Sequence, residues 1–292
     1  MKPSQFNYVR PATLEQAIAA LAAAAGEGKI IAGGQSLMPM MNFRLVSPAL
    51  LIDINRIKEL DFLEEQAGGL RIGALTRHHT LETSSLVKRL FPVLSAAMAH
   101  VAHLAIRNRG TIGGSISHAD PAAELPMMML LLEARITAVS PRGKRVIDAA
   151  DFFLAALTSD VQEDEIVTEI SLPALPAGAG WAFEEVARRP GDYALAAVGV
   201  ILTQEQGRAA QVRIGVMGVG DTPMRLPDAE AVLNGQACDE QSLDAVVAAV
   251  RNSVQPDGDL HASGDYRRHL VGVLVRRAVK DAWKRAQANA KG

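Results

Sequence analysis

Ala32-Gly33-Gly34-Gln35-Ser36 is a short glycine segment with a counterpart later in the chain, Thr111-Ile112-Gly113-Gly114-Ser115. In each segment two adjacent glycines remove the Cβ atoms that would keep a ligand away from the backbone. They also permit positive φ angles, which point successive N–H groups at one spot. Two such segments that converge on one ligand suit a diphosphate that joins two organic halves. We therefore predict that the two segments together bind a dinucleotide.

The elements around the first segment exclude the best-known dinucleotide folds. The pattern predicts a helix, a buried strand, about one turn of helix and a second buried strand, at residues 13–25, 29–32, 39–44 and 50–54. The Rossmann fingerprint needs a long helix that opens directly from its glycine loop, but Pro39 follows Ser36 closely. Neither segment reads G-x-G-x-x-G, and no Gly-Lys-Ser/Thr ending makes a P-loop. The predicted site belongs to another architecture.

Apolar patterns predict further elements along the chain. Strands are predicted at residues 70–74, 135–139, 166–172, 181–186, 194–203 and 211–219. Helices are predicted at residues 80–87, 92–105, 121–132, 238–251 and 265–288. The stretch 173–180 is rich in proline, glycine and alanine, so it buries little and cannot continue a sheet. We place a domain boundary there, near Leu175.

Composition narrows the class of protein. The 292 residues are 49% hydrophobic and 21% charged, which is normal for a globular protein and enough for two domains. A net charge of −2 and an aromatic content of 4% give no reason to expect nucleic acid as a partner. Residues 1–10 lack the apolar core of a signal peptide, and no apolar run is long enough to cross a bilayer. The expected location is the cytoplasm.

Cysteine and histidine usage predicts no metal site in this chain. With Cys238 as its one cysteine, the chain cannot form an internal disulfide or a four-cysteine iron–sulfur cluster. His78 and His79 are adjacent and diverge in any regular element. His100 and His103 share a helical face, but no acidic or cysteine side chain nearby completes a ligand set.

Four more motifs accompany the glycine segments. They are Leu51-Ile52-Asp53-Ile54, Arg107-Asn108, His118-Ala119-Asp120-Pro121-Ala122-Ala123-Glu124 and Arg188-Arg189-Pro190-Gly191-Asp192-Tyr193-Ala194. In this order and spacing, the chain resembles the flavoprotein medium subunit of molybdenum hydroxylases, the family of carbon monoxide dehydrogenase and xanthine dehydrogenase. The similarity runs the full length, and several ordered motifs make it specific.

The resemblance implies an α+β fold with two domains. Residues 1–175 would form a two-part FAD-binding domain of the p-cresol methylhydroxylase type, split near residue 55. Residues 176–292 would form the small α/β C-terminal domain of the carbon monoxide dehydrogenase flavoprotein type. No acid–base or nucleophilic side chain is required for flavin electron transfer, so we name no catalytic residue.

The resemblance also implies a set of FAD-binding residues, in which both glycine segments hold the diphosphate. These residues are Ala32, Gly33, Gly34, Gln35, Ser36, Leu37, Thr111, Ile112, Gly113, Gly114, Ser115, Glu124, Val167, Glu184 and Tyr193. Ser115 is a departure, because relatives commonly carry asparagine there. Serine still donates and accepts hydrogen bonds but reaches less far.

In that family a large molybdenum-cofactor subunit and a small iron–sulfur subunit supply the rest of the catalyst. The resemblance therefore implies that molybdopterin and the 2Fe-2S clusters lie on partner subunits, in a heterotrimer that dimerises. Electrons would pass from the partner clusters through FAD on this chain to an external acceptor. The substrate stays open among carbon monoxide, an N-heterocycle and an aromatic acid derivative, and the acceptor stays open as well.

Plainer interpretations remain beside these. The chain could be a stand-alone FAD-dependent oxidoreductase of the same fold, or a flavin-free assembly protein. Either glycine segment alone could be an ordinary tight turn. Glu124 could simply be an acid at a helix N-terminus, Tyr193 a packed aromatic, and Val167 and Glu184 core or surface residues. The cations of the last helix suit either a solvated face or a docking surface for a partner.

Overall fold

The computed structural model describes residues 2–290. The strands are β1 (Asn7–Val9), β2 (Gly28–Ile31), β3 (Leu50–Asp53), β4 (Leu63–Gln66), β5 (Gly69–Gly73), β6 (Arg135–Ser140), β7 (Gly143–Asp148), β8 (Phe153–Ala155), β9 (Thr158–Ser159), β10 (Ile166–Leu172), β11 (Gly180–Ala187), β12 (Ala194–Glu205), β13 (Arg208–Met217) and β14 (Met224–Arg225). The helices are α1 (Leu14–Ala23), α2 (Leu37–Asn42), α3 (His78–Thr83), α4 (Ser85–Leu90), α5 (Pro92–Met98), α6 (Leu104–Arg107), α7 (Ile112–His118), α8 (Glu124–Leu131), α9 (Ala149–Phe152), α10 (Pro227–Leu233), α11 (Glu240–Ser253) and α12 (Gly264–Asn289).

The first sheet is parallel and has the strand order β1-β3-β2. Thr13 caps α1, because its hydroxyl accepts a hydrogen bond from the Gln16 N–H at 3.3 Å. The helix then buries Ala17 and Leu21 in the core of this sheet. Since the strands are parallel, their carboxyl ends meet at one edge. The first glycine segment follows β2 at that edge.

The second sheet is antiparallel, with the order β4-β5-β10-β6-β7. Helices α3 to α8 follow β5 in the chain, and apolar residues of all of them except α6 join the core of this sheet. Phe91, Met98 and Ile136 are fully buried members of that core. The short strand β5 ends at Gly73, next to the second glycine segment.

The third sheet is antiparallel, with the order β11-β12-β13-β14. Its central strand β12 carries an almost unbroken run of buried residues because helices cover both faces. On one face, Gly199 leaves room for Leu131 of α8, whose Cδ2 would lie 2.6 Å from a Cβ at position 199. On the other face, α12 packs against β11 and β12. One hydrophobic core therefore runs from α8 into this sheet.

The two-domain α+β architecture predicted from the sequence is confirmed. Three local predictions are wrong. The second glycine segment forms the N-cap and first turn of α7, a helix absent from the predicted elements. The helix predicted over 92–105 is two helices, α5 and α6, separated by Ala102 at φ 44°. The helix predicted over 80–87 is also two helices, which meet at Ser84.

Among residues 2–290, no helix combines the length and the apolar character that crossing a membrane requires.

Candidate functional site

The first glycine segment offers unpaired backbone donors. The N–H groups of residues 33–36 donate to no acceptor within residues 2–290. Gly34 has φ 70°, a conformation that glycine adopts without strain. Ser36 is the N-cap of α2, yet its hydroxyl makes no capping hydrogen bond. The Gln35 amide folds back and donates to the Gly33 carbonyl oxygen at 2.8 Å. This segment is a strip of free donors at the carboxyl edge of the parallel sheet.

The second segment differs, because most of its backbone donors are already used. Thr111 caps α7 and its hydroxyl accepts from the Gly114 N–H at 3.1 Å. The N–H groups of Ile112 and Gly113 donate to Thr76 and Ala74 carbonyl oxygens at 3.0 and 2.9 Å. Thr111 and Ile112 are also buried, so they are not accessible to a ligand.

The glycines of each pair have different surroundings. A Cβ at Gly113 would lie 2.6 Å from the Ala74 Cβ, so this glycine is required for packing. Gly114 is exposed, and the one atom near its missing Cβ is the Thr111 Oγ1. A Cβ at Gly33 would lie 2.9 Å from the Gly110 Cα. Gly33 and Gly113 are buried, whereas Gly34 is half-buried and Gly114 is exposed, so Gly34 and Gly114 are the members of the two pairs that a ligand can approach.

The contact between Gly33 and Gly110 brings the two segments together across the two sheets. The prediction that the segments converge agrees with this geometry. The prediction that amides of both segments are free does not, since only the first segment has a run of unpaired N–H groups within the described chain. From the second segment, the exposed Gly114 backbone and the Ser115 hydroxyl are what a ligand would meet.

Asn55 and Arg77, which sequence reasoning missed, link the two segments. The Asn55 side-chain amide donates to the Ala32 carbonyl oxygen at 2.8 Å. Its carbonyl oxygen accepts from the Arg77 guanidinium at 2.8 Å, and the same guanidinium donates to the Arg109 carbonyl oxygen. A signal existed for Asn55, because it follows the end of a parallel strand, where polar side chains meet ligands.

A second group of predicted residues lies where α8 begins. Glu124 is 8% exposed, and burial raises the pKa of its carboxyl group to about 7. Tyr193 is 65% exposed, and its hydroxyl lies in the electrostatic field of Asp120 and Glu124. The turn that carries Tyr193 abuts the Ala102 backbone at Gly191, which has φ 78°. The structure thus brings Tyr193 from the C-terminal sheet to the start of α8.

The structure does not bring Glu184 to this group. Its charged neighbours are Asp281, Arg277 and Arg285, all on α12, and burial raises its pKa. Alternate side chains of a strand point to opposite faces, so Glu185 points the other way.

Glu185 is the carboxylate on the site side of the strand. Its side chain is 3% exposed, and its Oε1 lies 3.8 Å from the His100 Nδ1. Its other oxygen has no partner within residues 2–290. Burial and the nearby Glu124 raise its pKa to about 8. Glu185, the residue after the predicted Glu184, is therefore the carboxylate of this strand that faces Glu124.

Two further predicted residues lie within a strand and a helix. Val167 lies in β10 opposite Ala138, is 6% exposed and belongs to the main core. Leu37 is the first residue of α2 and is half-buried. In the part of the chain that the structure describes, no three histidine, cysteine, aspartate or glutamate side chains come together as metal ligands.

Known families match this chain over nearly its whole length. A family model described as the FAD binding domain in molybdopterin dehydrogenase matches residues 4–175. The chain belongs to this family. A second model, the CO dehydrogenase flavoprotein C-terminal domain, matches residues 181–282.

Characterised relatives and solved structures agree with the family. The 6-hydroxypseudooxynicotine dehydrogenase complex subunit alpha of Paenarthrobacter nicotinovorans is 41% identical over 98% of this chain and 97% of its own length. Carbon monoxide dehydrogenase from Hydrogenophaga pseudoflava has a chain that superposes with a TM-score of 0.95 at 37% identity, covering 98% of this chain and 99% of its own. A chain of quinoline 2-oxidoreductase from Pseudomonas putida 86 superposes with a TM-score of 0.93 at 36% identity, covering 98% of this chain and 100% of its own. The chain is therefore a medium-subunit flavoprotein of the molybdenum hydroxylase family, and its relatives are oxidoreductase subunits.

The residues present fit an FAD diphosphate. The N–H groups of residues 33–36 are unpaired within the described chain and can donate to a diphosphate, and the positive φ of Gly34 shapes the backbone as an anion cradle. The exposed Gly114 lets a ligand reach the backbone from the other side.

Proposed function

We propose that this chain is the FAD-carrying electron-transfer subunit of a molybdenum-containing hydroxylase or dehydrogenase. The observation that carries the proposal is the run of unpaired N–H groups over residues 33–36, held against the second glycine segment. A diphosphate supplies oxygen acceptors to which these donors can bond. The family match over residues 4–175 supports FAD as its source.

Particular residues would hold the cofactor. The first segment neutralises the diphosphate with backbone N–H groups, and the Ser36 hydroxyl adds a donor. Gly114 admits the ligand, and Ser115 provides a hydroxyl from the second segment. Glu124, whose raised pKa keeps much of its carboxyl group protonated near neutral pH, can donate a hydrogen bond as well as accept one. Tyr193 covers the same region from the C-terminal domain.

Bound FAD supplies two-electron chemistry, while this chain binds it, orients it and sets its electrostatic surroundings. In the proposed assembly, electrons arrive from iron–sulfur clusters on a small partner subunit and leave to an external acceptor. The substrate is oxidised at the molybdenum cofactor of a large partner subunit. We propose a heterotrimer that dimerises, with this chain divided near residues 55 and 175.

The proposal specifies the reaction class. The identity of the substrate depends on the large subunit, where the substrate would bind. Relatives of nearly equal identity are named for carbon monoxide and for quinoline, at 37% and 36%. A flavoprotein subunit that hands on electrons can serve either chemistry, because the substrate does not meet the flavin.

The first experiment is the visible absorbance spectrum of the full-length purified chain, before and after reconstitution with FAD. Flavin released by heat is identified against FAD and FMN standards. We expect stoichiometric FAD. Gly114→Asp should abolish binding, because it places a carboxylate against the diphosphate. The matched control is Gln206→Asp, which adds the same carboxylate at an exposed turn where a non-glycine residue already stands.

Different outcomes favour different functions. A colourless chain that FAD does not reconstitute would favour a flavin-free assembly protein. Substrate turnover by the isolated chain would favour a stand-alone oxidoreductase. Recovery of the tagged chain from its native host with a molybdenum-containing large chain and an iron-containing small chain is the result that the proposal requires.

A further inference from the structure

Two side chains outside the glycine segments connect the backbones of both. Asn55 Nδ2 donates to the Ala32 carbonyl oxygen at 2.8 Å and to the Asp53 carboxylate at 2.7 Å. Asn55 Oδ1 accepts from Arg77 Nη2 at 2.8 Å. Arg77 Nη1 donates to the Arg109 carbonyl oxygen. The chain of contacts thus runs from the residue that opens the first segment to a residue just before the second.

We propose that Asn55 and Arg77 form a clamp that positions the two glycine segments as one diphosphate cradle. The inference rests on the proposed FAD-binding function and deepens it. Both are positioning residues, since they act on the ligand through backbone atoms at positions 32 and 109.

The asparagine and arginine side chains have the donors and acceptors that this set of contacts requires. Asparagine has two donor hydrogens and one acceptor oxygen, and all three are used here. Aspartate would lose both donors and set a negative charge against the Ala32 carbonyl oxygen. The Arg77 guanidinium is a planar fork that reaches Asn55 and Arg109 in two fixed directions, whereas lysine offers a point charge without that fork.

The orientation of Asn55 is itself fixed. The Asp53 carboxylate accepts from both the Asn55 N–H, at 2.9 Å, and the Asn55 side-chain amide. Asp53 also accepts from the Tyr8 hydroxyl, at 2.5 Å, on the neighbouring strand. The clamp is therefore anchored in the parallel sheet on one side.

On the other side, the backbone of Arg77 pairs with Thr111 as an antiparallel bridge. His78 follows Arg77, and its N–H donates to the Gly110 carbonyl oxygen at 3.0 Å. Arg77 thus holds the second segment through its backbone, and its side chain reaches the first segment through Asn55. Its guanidinium also leaves a fixed positive charge beside the cradle.

The test compares Asn55→Ala, Arg77→Lys and Arg77→Gln in the full-length chain. FAD dissociation constants are measured by flavin fluorescence titration of the FAD-free protein. We expect Arg77→Gln and Asn55→Ala each to weaken binding by about tenfold to a hundredfold, as for a lost hydrogen bond to a charged group. The double variant should be no weaker than the worse single variant, because the two residues act through one shared contact.

Arg77→Lys distinguishes the geometry of the guanidinium contacts from the positive charge at this position. A clamp requires this variant to lose affinity too, whereas lysine would restore wild-type binding if only the positive charge mattered. The matched control is Arg145→Lys. Arg145 makes a comparable fork to Asp160 and Glu165 in the same domain, away from both segments. This control should bind FAD as the wild type does.

A second readout needs no FAD. Hydrogen exchange of the FAD-free chain should be faster at Met38, whose N–H donates to the Gly34 carbonyl oxygen, and over the bonded amides of residues 109–115 in the clamp variants. It should be unchanged in Arg145→Lys. Wild-type affinity together with wild-type exchange in Asn55→Ala and Arg77→Lys would overturn the clamp. If the wild type itself binds no FAD, the proposed function fails, while the exchange comparison still decides the clamp. If Arg77→Gln does not fold, the other two variants carry the same comparison.

Discussion

Gly33 and Gly110 lie in direct backbone contact, and a Cβ at position 33 would approach the Gly110 Cα to 2.9 Å. This contact joins the end of the parallel sheet to the start of the second glycine segment. The two segments are therefore close without any ligand, and the cradle is a property of the folded chain.

Alanine at Gly33 should destabilise the fold, whereas alanine at Gly114 should spare it. The backbone at Gly110 cannot move aside easily, so we expect Gly33→Ala to lower the free energy of unfolding by about 2–4 kcal/mol. Gly114 is exposed, and its Cβ would meet only the Thr111 hydroxyl oxygen. Thermal denaturation and FAD titration should show Gly114→Ala folded but weaker in FAD binding. Equal stability of the two variants would contradict the packing role of Gly33.

Glu185 should destabilise the protein at alkaline pH. Its pKa in the folded chain, about 8, lies above the ordinary value of 4.5 for glutamate, so the folded state holds a proton that the unfolded state has released. Stability from this group is present below pH 4.5 and is lost as pH rises through 8. Glu185→Gln should therefore raise stability at pH 9, by up to about 5 kcal/mol, and change it little at pH 4.

Urea denaturation across that pH range measures the effect. Glu205→Gln, at the exposed end of the neighbouring strand β12, serves as the control and should leave the pH dependence unaltered. A Glu185→Gln profile parallel to the wild type would show that Glu185 does not carry this proton.

His78 should make the folded protein less stable as the pH falls, the opposite of the pH dependence expected from Glu185. It is buried against Gly110, and burial lowers its pKa from 6.5 to about 4. Its stability contribution is complete above pH 6.5 and is lost as pH falls toward 4, because the unfolded state binds the proton first. His78→Gln keeps a donor for the Thr111 carbonyl oxygen and should flatten the stability profile over this range by about 2 kcal/mol. The exposed His261→Gln is the matched variant and should keep the wild-type slope.

Arg267 should contribute far more stability than its neighbour Arg268. The Arg267 guanidinium is buried and donates to the carbonyl oxygens of Leu195 and Gly218 at 2.7 and 2.9 Å. Arg267→Gln leaves these oxygens short of donors and should cost about 2–3 kcal/mol. Arg268 is 40% exposed in its ion pair with Asp265, so Arg268→Gln should cost less than about 0.5 kcal/mol. Chemical denaturation of both variants is the check, and similar losses would refute the assignment.

Regular elements with a clear period were predictable from the sequence. The strand predicted over 166–172 coincides with β10, and the helix predicted over 265–288 corresponds to α12. Both patterns arise from one continuous buried face. The second glycine segment was misjudged because glycine is a poor helix former. The N-cap at Thr111 and backbone bonds to Thr76 and Ala74 override that propensity.

The missed site residues depend on contacts that are distant in sequence. Arg77 reaches a residue 32 positions away, so no local pattern reveals it. Asn55 stands at the end of a strand, but its partner is 23 positions away and the strand order was needed to recognise its role. The placement of Glu184 toward α12, with Glu185 facing Glu124, has a different cause. A strand alternates its faces with every residue, and which face meets α12 is settled only when the sheet packs.

The apolar contact of α8 with Gly199 has a practical consequence for dissecting this flavoprotein. A fragment that stops near residue 175 would leave Met127 and Leu131 facing water where they now touch the third sheet. We therefore expect such a fragment to aggregate rather than to fold as an independent domain. Chimeras that exchange the C-terminal portion between relatives should therefore carry α8 along with it.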